Sequence, residues 1–377
     1  MKIKKGAKGS LNGLIEDCQI FSKQDPDFVE EELSENLSGS PEILKSLARI
    51  SMKRISNLQV EVSDEFLGRG ESIKAVLASF MSGVPLVMLG PPGTGKSAIV
   101  RRIAAFCGLD VCGQQRGYFE YLMHSHTMPE DLFGPPNIKA LQAEEPRFER
   151  ITKNFLPESQ IAFLDELFRG GSHILNTLLT LVNERIFHNS DGAQAVPLIG
   201  IVGAANDPPE DQELLAFYDR FPIRVWMESV FESLRDGDSS EDSLGGQLLN
   251  KSVELERQKR TEKNTTGRSQ LACINDFRVA GARVSQMASE SDWNRRDRRT
   301  HFDQLFQELR IECALSDRTY HALWRFACAL SLLSPGIAEL DDSHLKVFQY
   351  TAPTHGKLGV VRASTEKAIR MAHTGND

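Results

Sequence analysis

The sequence predicts an α/β protein in which a parallel sheet carries a phosphate loop and a helical region follows. Three observations carry that prediction. Gly90-Pro91-Pro92-Gly93-Thr94-Gly95-Lys96-Ser97 matches G-x-x-x-x-G-K-[ST]. Short apolar runs alternate with helical patterns from about residue 66 to 227. The polar residues capable of chemistry close those runs, where an open parallel sheet presents its ligand.

The loop sits in the context its chemistry needs. Pro85-Leu86-Val87-Met88-Leu89 before it reads as a strand buried on both faces. After it, Ile99, Val100, Ile103 and Phe106 recur at helical spacing, with Arg101 and Arg102 on the other side. Glycines let backbone N–H groups wrap a polyphosphate, and the helix N-terminus adds positive potential. Lys96 is placed to reach the β and γ phosphates, with Ala98 in the first helical turn and the Ser97 hydroxyl placed to hold Mg²⁺.

The 377 residues suggest two domains, or one with a lid. A net charge of −8 disfavours a chain whose main work is coating nucleic acid. No apolar run approaches the ~18 residues that span a bilayer. Met1 to Lys8 is basic but is not followed by the apolar stretch of an export signal, so a cytoplasmic location is expected. Six scattered cysteines (Cys18, Cys107, Cys112, Cys273, Cys313, Cys328) lack metal-ligand spacing and read as reduced thiols.

Residues 1–60 are expected to form an N-terminal arm, acidic and serine-rich over 25–39. An amphipathic helix begins at Ser40-Pro41-Glu42 with Ile43, Leu44, Leu47 and Ile50 on one face. That face is expected to dock on the chain's own body or on a neighbouring subunit. The α/β part is placed at 61–227. After a helical pattern reaching Phe80, its strands are Pro85–Leu89, Tyr118–Met123, Ile161–Leu164, Leu198–Ala205 and Ile223–Met227, with helices at Ser97–Cys107 and Ser172–Glu184. Two insertions interrupt it: 134–158, with Ile138, Leu141, Phe148 and Ile151, and a hairpin over Arg185–Pro197 turning at Asn189-Ser190-Asp191-Gly192. Residues 228–377 are read as helical, with a flexible insertion at about 236–270. The basic runs Arg257–Arg260 and Arg295–Arg299 read as solvated faces or loop.

Asp165-Glu166 closes the third strand. Asp165 is the candidate Mg²⁺ ligand, and Glu166 the candidate general base that polarises water. Asn206, ending the fourth strand, reads either as a residue positioning that water or as an ordinary turn residue before Asp207-Pro208-Pro209. Arg318 follows a Ser316 N-cap in a helix's first turn, where a cation opposes the macrodipole by about 0.3–1 kcal/mol. It therefore reads as a ligand for a nearby phosphate or as a surface arginine leaning to Asp317. A guanine-specific N-K-x-D motif is missing: Asn250-Lys251 is followed by Ser252-Val253. Ser243-Leu244-Gly245-Gly246-Gln247 lies in the wrong place and order for a transporter signature. His124 and His126, at a strand end, read as structural or exposed.

With these residues assembled, the chain over roughly 62–335 resembles the MoxR branch of the AAA+ ATPases, most closely the RavA-type regulatory ATPases. The resemblance rests on Gly90–Ser97, Met128-Pro129-Glu130-Asp131-Leu132-Phe133-Gly134-Pro135, Phe155-Leu156-Pro157-Glu158 and Phe163-Leu164-Asp165-Glu166. It continues through Ile174–Leu179, Asn183-Glu184-Arg185, Tyr218-Asp219-Arg220-Phe221 and Ser316-Asp317-Arg318. It implies a five-stranded core with a helix-2 insert and a pre-sensor-1 hairpin, followed by an all-helical lid. It likewise implies ATP and Mg²⁺ as cofactors, Asn206 as sensor 1, Arg318 as sensor 2 and Arg220 as the arginine finger that reaches a neighbour's ATP, with Arg224 a weaker second candidate.

A finger in trans implies a ring, expected to be hexameric, with nucleotide at the subunit interfaces. The resemblance also implies a separate von Willebrand A (vWA) partner and remodelling, activation or maturation of a protein client. The chain departs from RavA-type proteins in its long N-terminal arm and in stopping soon after the lid. A second reading is a nucleic-acid-associated motor or an ATP sensor of a defence system, with Lys139, Arg147 and Arg150 as its candidate contacts. A third is a scaffold that binds ATP as a switch.

Overall fold

The computed structural model describes residues 41–109, 117–144, 146–189, 192–228, 272–289, 296–334 and 343–374. The acidic stretch 25–39, the insertion at 236–270 with Arg257–Arg260, the turn at 190–191, Cys18 and Cys112 lie outside them.

Five parallel strands form one sheet in the order β2-β3-β6-β1-β7. They are β1 (Leu86–Leu89), β2 (Tyr118–Leu122), β3 (Ile161–Asp165), β6 (Gly200–Ala205) and β7 (Ile223–Trp226). Their near-continuous apolar character follows from burial on both faces. Leu86, Met88, Ile161 and Phe163 face one core, while Val87, Leu89, Ala162 and Leu164 face the other. The first core is covered by α1 (Pro41–Glu65), α2 (Gly70–Ser82), α3 (Lys96–Phe106) and the C-terminal helices. The second lies under α6 (Ser172–Glu184) and α7 (Gln212–Tyr218). The short α4 (Pro129–Phe133) and α5 (Ile138–Leu141) belong to the segment between β2 and β3.

The amphipathic helix is longer and more deeply built in than its first turns suggest. α1 runs 25 residues, and Ile55, Leu58 and Val62 are fully buried in the main core. It packs on α8 (Ile274–Ser289) through Leu44, Ala48 and Val279, and Arg54 pairs with buried Asp276 at 3.4 Å. Its face therefore docks on the chain's own body, and residue 60 falls inside one continuous helix.

Both insertions take shape. β4 (Ile186–Asn189) and β5 (Gly192–Ala195) pair antiparallel. The other insertion closes through a Pro136–Arg150 bridge and leaves Ile138, Phe148 and Ile151 48–64% exposed. The two insertions are joined where the Arg150 N–H donates to Asn189 Oδ1 at 3.0 Å.

The C-terminal part comprises α8, α9 (Arg296–Cys313), α10 (Asp317–Leu333), α11 (Ser343–Lys346) and α12 (His355–Thr374). It is fastened to β7 and to the end of α7 by three successive carbonyls. Thr351 accepts from Arg224 Nη1 (2.9 Å), Ala352 from Trp226 Nε1 (3.1 Å) and Pro353 from Tyr218 Oη (2.9 Å).

Candidate nucleotide site

The phosphate loop spans the turn from β1 into α3. Gly90, Gly93 and Gly95 take φ of 142°, 79° and 89°, values that a side chain would strain. Gly90 is also pinned by its neighbours: its N–H donates to the Ala205 and Asn206 carbonyls at 3.3 and 3.1 Å, and a Cβ there would lie 2.2 Å from the Met227 oxygen. Pro91, Pro92 and Gly93 form the exposed crest, and Thr94 Oγ1 donates to the Pro91 carbonyl at 3.0 Å. Lys96 is buried, and its ammonium donates to the Gly90 and Pro91 carbonyls at 2.6 and 3.0 Å. Burial lowers its pKa, and the nearby Asp165 and Glu166 carboxylates pull it back up. Ser97 and Ala98 begin α3, half-buried.

The ends of β3 and β6 bring the other residues to the same edge. Asp165 is the last residue of β3, and its Oδ1 accepts the Glu166 N–H at 3.0 Å. Glu166 takes φ 50°, a left-handed conformation that is uncommon for a non-glycine residue and concentrates at functional sites. Asn206 Nδ2 donates to Glu166 Oε1 at 3.3 Å, and Arg169 Nε lies 3.3 Å from Oε2. Oε1 of Glu166 thus has a hydrogen-bond donor, and Oε2 an exposed ion-pair partner.

Arg169 was missed in the sequence. Its signal is its place three residues after Glu166 in a short 3₁₀ turn. Arg69, from the glycine pair before α2, was also missed. It lies close enough to act on the Lys96 charge, and burial lowers its own pKa against the pull of Glu228.

Arg220 and Arg318 lie elsewhere. Both line a cavity of about 490 Å³ with Gly83, Pro85, Leu198 and Pro222, residues that precede β1, β6 and β7. This is the N-terminal end of the sheet, whereas the loop and carboxylates stand at the C-terminal end. The chain from Pro85 to Gly90 alone runs about 16 Å as extended strand. Arg220 Nη1 donates to the Ala216 carbonyl. Arg318 does not lean to Asp317, which pairs with Arg310 at 3.0 Å; Ser316 caps α10 as read, accepting from Thr319 N–H. Arg224, the weaker candidate for a contact in trans, is 5% exposed, its guanidinium lies over the Tyr218 ring at 4.2 Å, and its Nη1 donates to the Thr351 carbonyl.

Among the described residues no cluster has a metal-binding set of His, Cys, Asp and Glu, and no helix is long and apolar enough to cross a membrane. His124 Nε2 lies 3.2 Å from Tyr121 Oη, and His124 Nδ1 accepts from the His126 N–H at 3.2 Å.

Comparison with known proteins agrees with this geometry. Residues 53–274 match the family described as the MoxR domain in the MoxR–vWA–β-propeller ternary systems. Two uncharacterised proteins of Methanocaldococcus jannaschii are each 44% identical, over 179 and 176 residues. These stretches are 48% and 47% of this chain and 45% of each relative, so the chain spans about half the length of the curated relatives it matches. A structural protein of Acidianus two-tailed virus is 31% identical over 172 residues, 45% of this chain and 27% of its own. The crystal structure of a candidate ATPase from Cytophaga hutchinsonii superposes with a TM-score of 0.59 at 16% identity, covering 86% of this chain and 96% of that one, a likeness of fold. With more than half its length inside the family match and the phosphate loop, strand order and helical C-terminal part in place, the chain belongs to the MoxR family of AAA+ ATPases.

Proposed function

We propose that this chain hydrolyses ATP with Mg²⁺ and works as a ring, six subunits by family resemblance, each nucleotide being shared between neighbours. One observation supports the reading above the rest. Lys96, Asp165, Glu166 and Asn206 stand at the C-terminal end of the sheet, and Arg220 and Arg318 at its N-terminal end. One subunit does not bring both sets to one phosphate; a head-to-tail neighbour would, and such contacts form rings where the rotation between neighbours closes.

The donor set suits the cation. The Ser97 hydroxyl and Asp165 carboxylate are hard oxygen ligands beside a loop built for polyphosphate. When bound, Mg²⁺ neutralises charge on the β and γ phosphate oxygens. In this reading Lys96 exchanges its two carbonyl partners for phosphate oxygens, with the glycine N–H groups holding the rest. Glu166, restrained by Asn206 and Arg169, orients the attacking water and takes its proton. Arg220 and Arg318 of one subunit meet the γ phosphate held by the next.

Hydrolysis would drive remodelling, activation or maturation of a protein client in the cytoplasm, in the manner of RavA-type regulatory ATPases, with a vWA protein as partner. The family description supports that partner. The nucleic-acid reading loses one of its cations: Arg150 is taken up by the Gly134 carbonyl (2.8 Å) and Glu130 (3.4 Å).

The test is Arg220→Ala. An arginine finger contributes roughly 10³–10⁵ in rate, so ATPase should fall by at least about 10³ with oligomers and ATP binding retained. Near-normal turnover in intact oligomers would remove the shared site.

A further inference from the structure

Four guanidinium groups gather at the N-terminal end of the sheet with little to balance them. The cavity there is lined by Arg185, Arg220, Arg318 and Arg325, and among the described residues Asp219 is the one carboxylate lining it. Arg185 and Arg325 converge on one backbone position. Arg185 Nη2 donates to the Gly83 carbonyl at 2.9 Å, and a Cβ on Gly83 would lie 4.0 Å from Arg325 Nη2. Arg185 Nη1 and Arg220 Nε are buried without a hydrogen-bond partner among the described residues.

Such an arrangement is costly for the subunit alone. Burial, and then repulsion from Arg325, pushes Arg185 down to about 10. Arg185 also takes φ 56° immediately after α6, a left-handed conformation that strains a residue with a side chain. Like charges lining one cavity repel, and buried donors left unpaired destabilise further. An anion with several oxygens reverses both effects, because each planar guanidinium matches phosphate in a two-pronged contact.

We infer that Arg185, with Arg325 beside it, is a further phosphate ligand acting in trans. The cavity takes the terminal phosphates of the nucleotide held by the neighbouring subunit, and Arg185 links them to the Gly83 carbonyl at the root of β1. This rests on the shared-site reading above and extends it from two arginines to four. The same strand carries the subunit's own phosphate loop at its other end, so the neighbour's nucleotide is tied to the element bearing the next one.

Mixed-subunit complementation tests the inference. Lys96→Ala lacks a working loop and keeps all four arginines; Arg185→Ala keeps the loop. Each alone should lose at least about 10² in kcat, the scale of one preorganised donor. Mixed in equal amounts they create some interfaces with an intact loop facing intact arginines, and ATPase should rise at least about tenfold above either parent. A residue acting on its own subunit's nucleotide, or only on folding, gives no such recovery. A parallel mixture of Lys96→Ala with Arg220→Ala separates the two readings. Recovery in the Arg220 pair but not in the Arg185 pair overturns this inference alone; recovery in neither overturns both. Should Arg185→Ala not fold, Arg325→Ala enters the same mixture with the same criteria. Arg185→Lys keeps the charge without the fork and should regain only part of the lost rate.

Discussion

Arg224 Nη1 donates to the Thr351 carbonyl at 2.9 Å across 127 residues of sequence, with its guanidinium lying over the Tyr218 ring. Arg224 stands on β7 and Thr351 just before α12, so this bond is one of the fastenings between the sheet edge and the C-terminal helices. Arg220, four residues earlier, instead lines the cavity.

The two arginines should therefore respond oppositely to truncation. Arg224→Ala removes a charge-assisted hydrogen bond and a ring contact and leaves the Thr351 carbonyl buried, a loss of about 2–4 kcal/mol. That should lower the thermal midpoint by roughly 3–5 °C. Arg220→Ala should leave the midpoint nearly unchanged while abolishing turnover. Thermal melts of both, read beside ATPase rates, check the contrast. A destabilised Arg220→Ala with a wild-type Arg224→Ala would reverse the assignment.

Asn206 holds one oxygen of Glu166 and Arg169 the other. Asn206→Ala should release the first restraint while sparing the loop that binds nucleotide. Misplacing a reacting group by about 1 Å costs up to roughly 10², so kcat should drop between about ten- and a hundredfold with KM unchanged. Steady-state kinetics decide; a large rise in KM with kcat preserved would place Asn206 in binding instead.

The loop and the carboxylates were legible because each depends on neighbours in the chain. Leu86–Leu89 is apolar throughout because both faces are covered, and Asp165 closes β3 because the strand must end where the ligand edge begins. The relation between Arg220 and Lys96 was not legible as geometry. Both resemble phosphate ligands, and only the path through β1, β6 and β7 puts them at opposite ends of the sheet. Arg185 was hidden for a different reason: it is one polar residue after α6, and its charge matters only because Arg325, 140 positions later, meets it at Gly83. The first turns of α1 show an amphipathic face, yet its later Ile55, Leu58 and Val62 bind it into the core.

Buried thiols and phenols set the alkaline limit of stability. Burial, with Asp276 adding repulsion, pushes the Cys273 thiol up to about 11, and burial pushes Tyr218 up to about 12 despite Arg224. Cys107, Cys328, Tyr118 and Tyr350 are raised too, chiefly by burial. In the unfolded chain these groups ionise near their ordinary values. Stability from them is thus fully present below about pH 9 and is lost as pH rises through about 11 to 12. Urea midpoints at pH 8, 9.5 and 11 should fall progressively, Cys273 alone accounting for about 1–3 kcal/mol. A flat profile over that range would mean the groups are accessible to water.

Two glycines of the same loop should fail in different ways. A methyl at Gly90 would lie 2.2 Å from the Met227 carbonyl oxygen, a backbone atom that cannot step aside without parting β1 from the chain leaving β7. Met227 N–H also donates to the Leu89 carbonyl at 2.7 Å, so that separation would break sheet pairing as well. Gly90→Ala should therefore lower stability by several kcal/mol, the range of forced overpacking. At Gly93 a methyl meets nothing within 4 Å, and only the left-handed backbone, φ 79°, resists it by about 1–2 kcal/mol. Gly93→Ala should fold, but its methyl stands on the crest where a polyphosphate approaches the loop amides, and ATP affinity should fall tenfold or more. Calorimetric melting and nucleotide titration of the two variants separate these effects. Tight ATP binding by Gly93→Ala would mean that the phosphates do not pass over the crest.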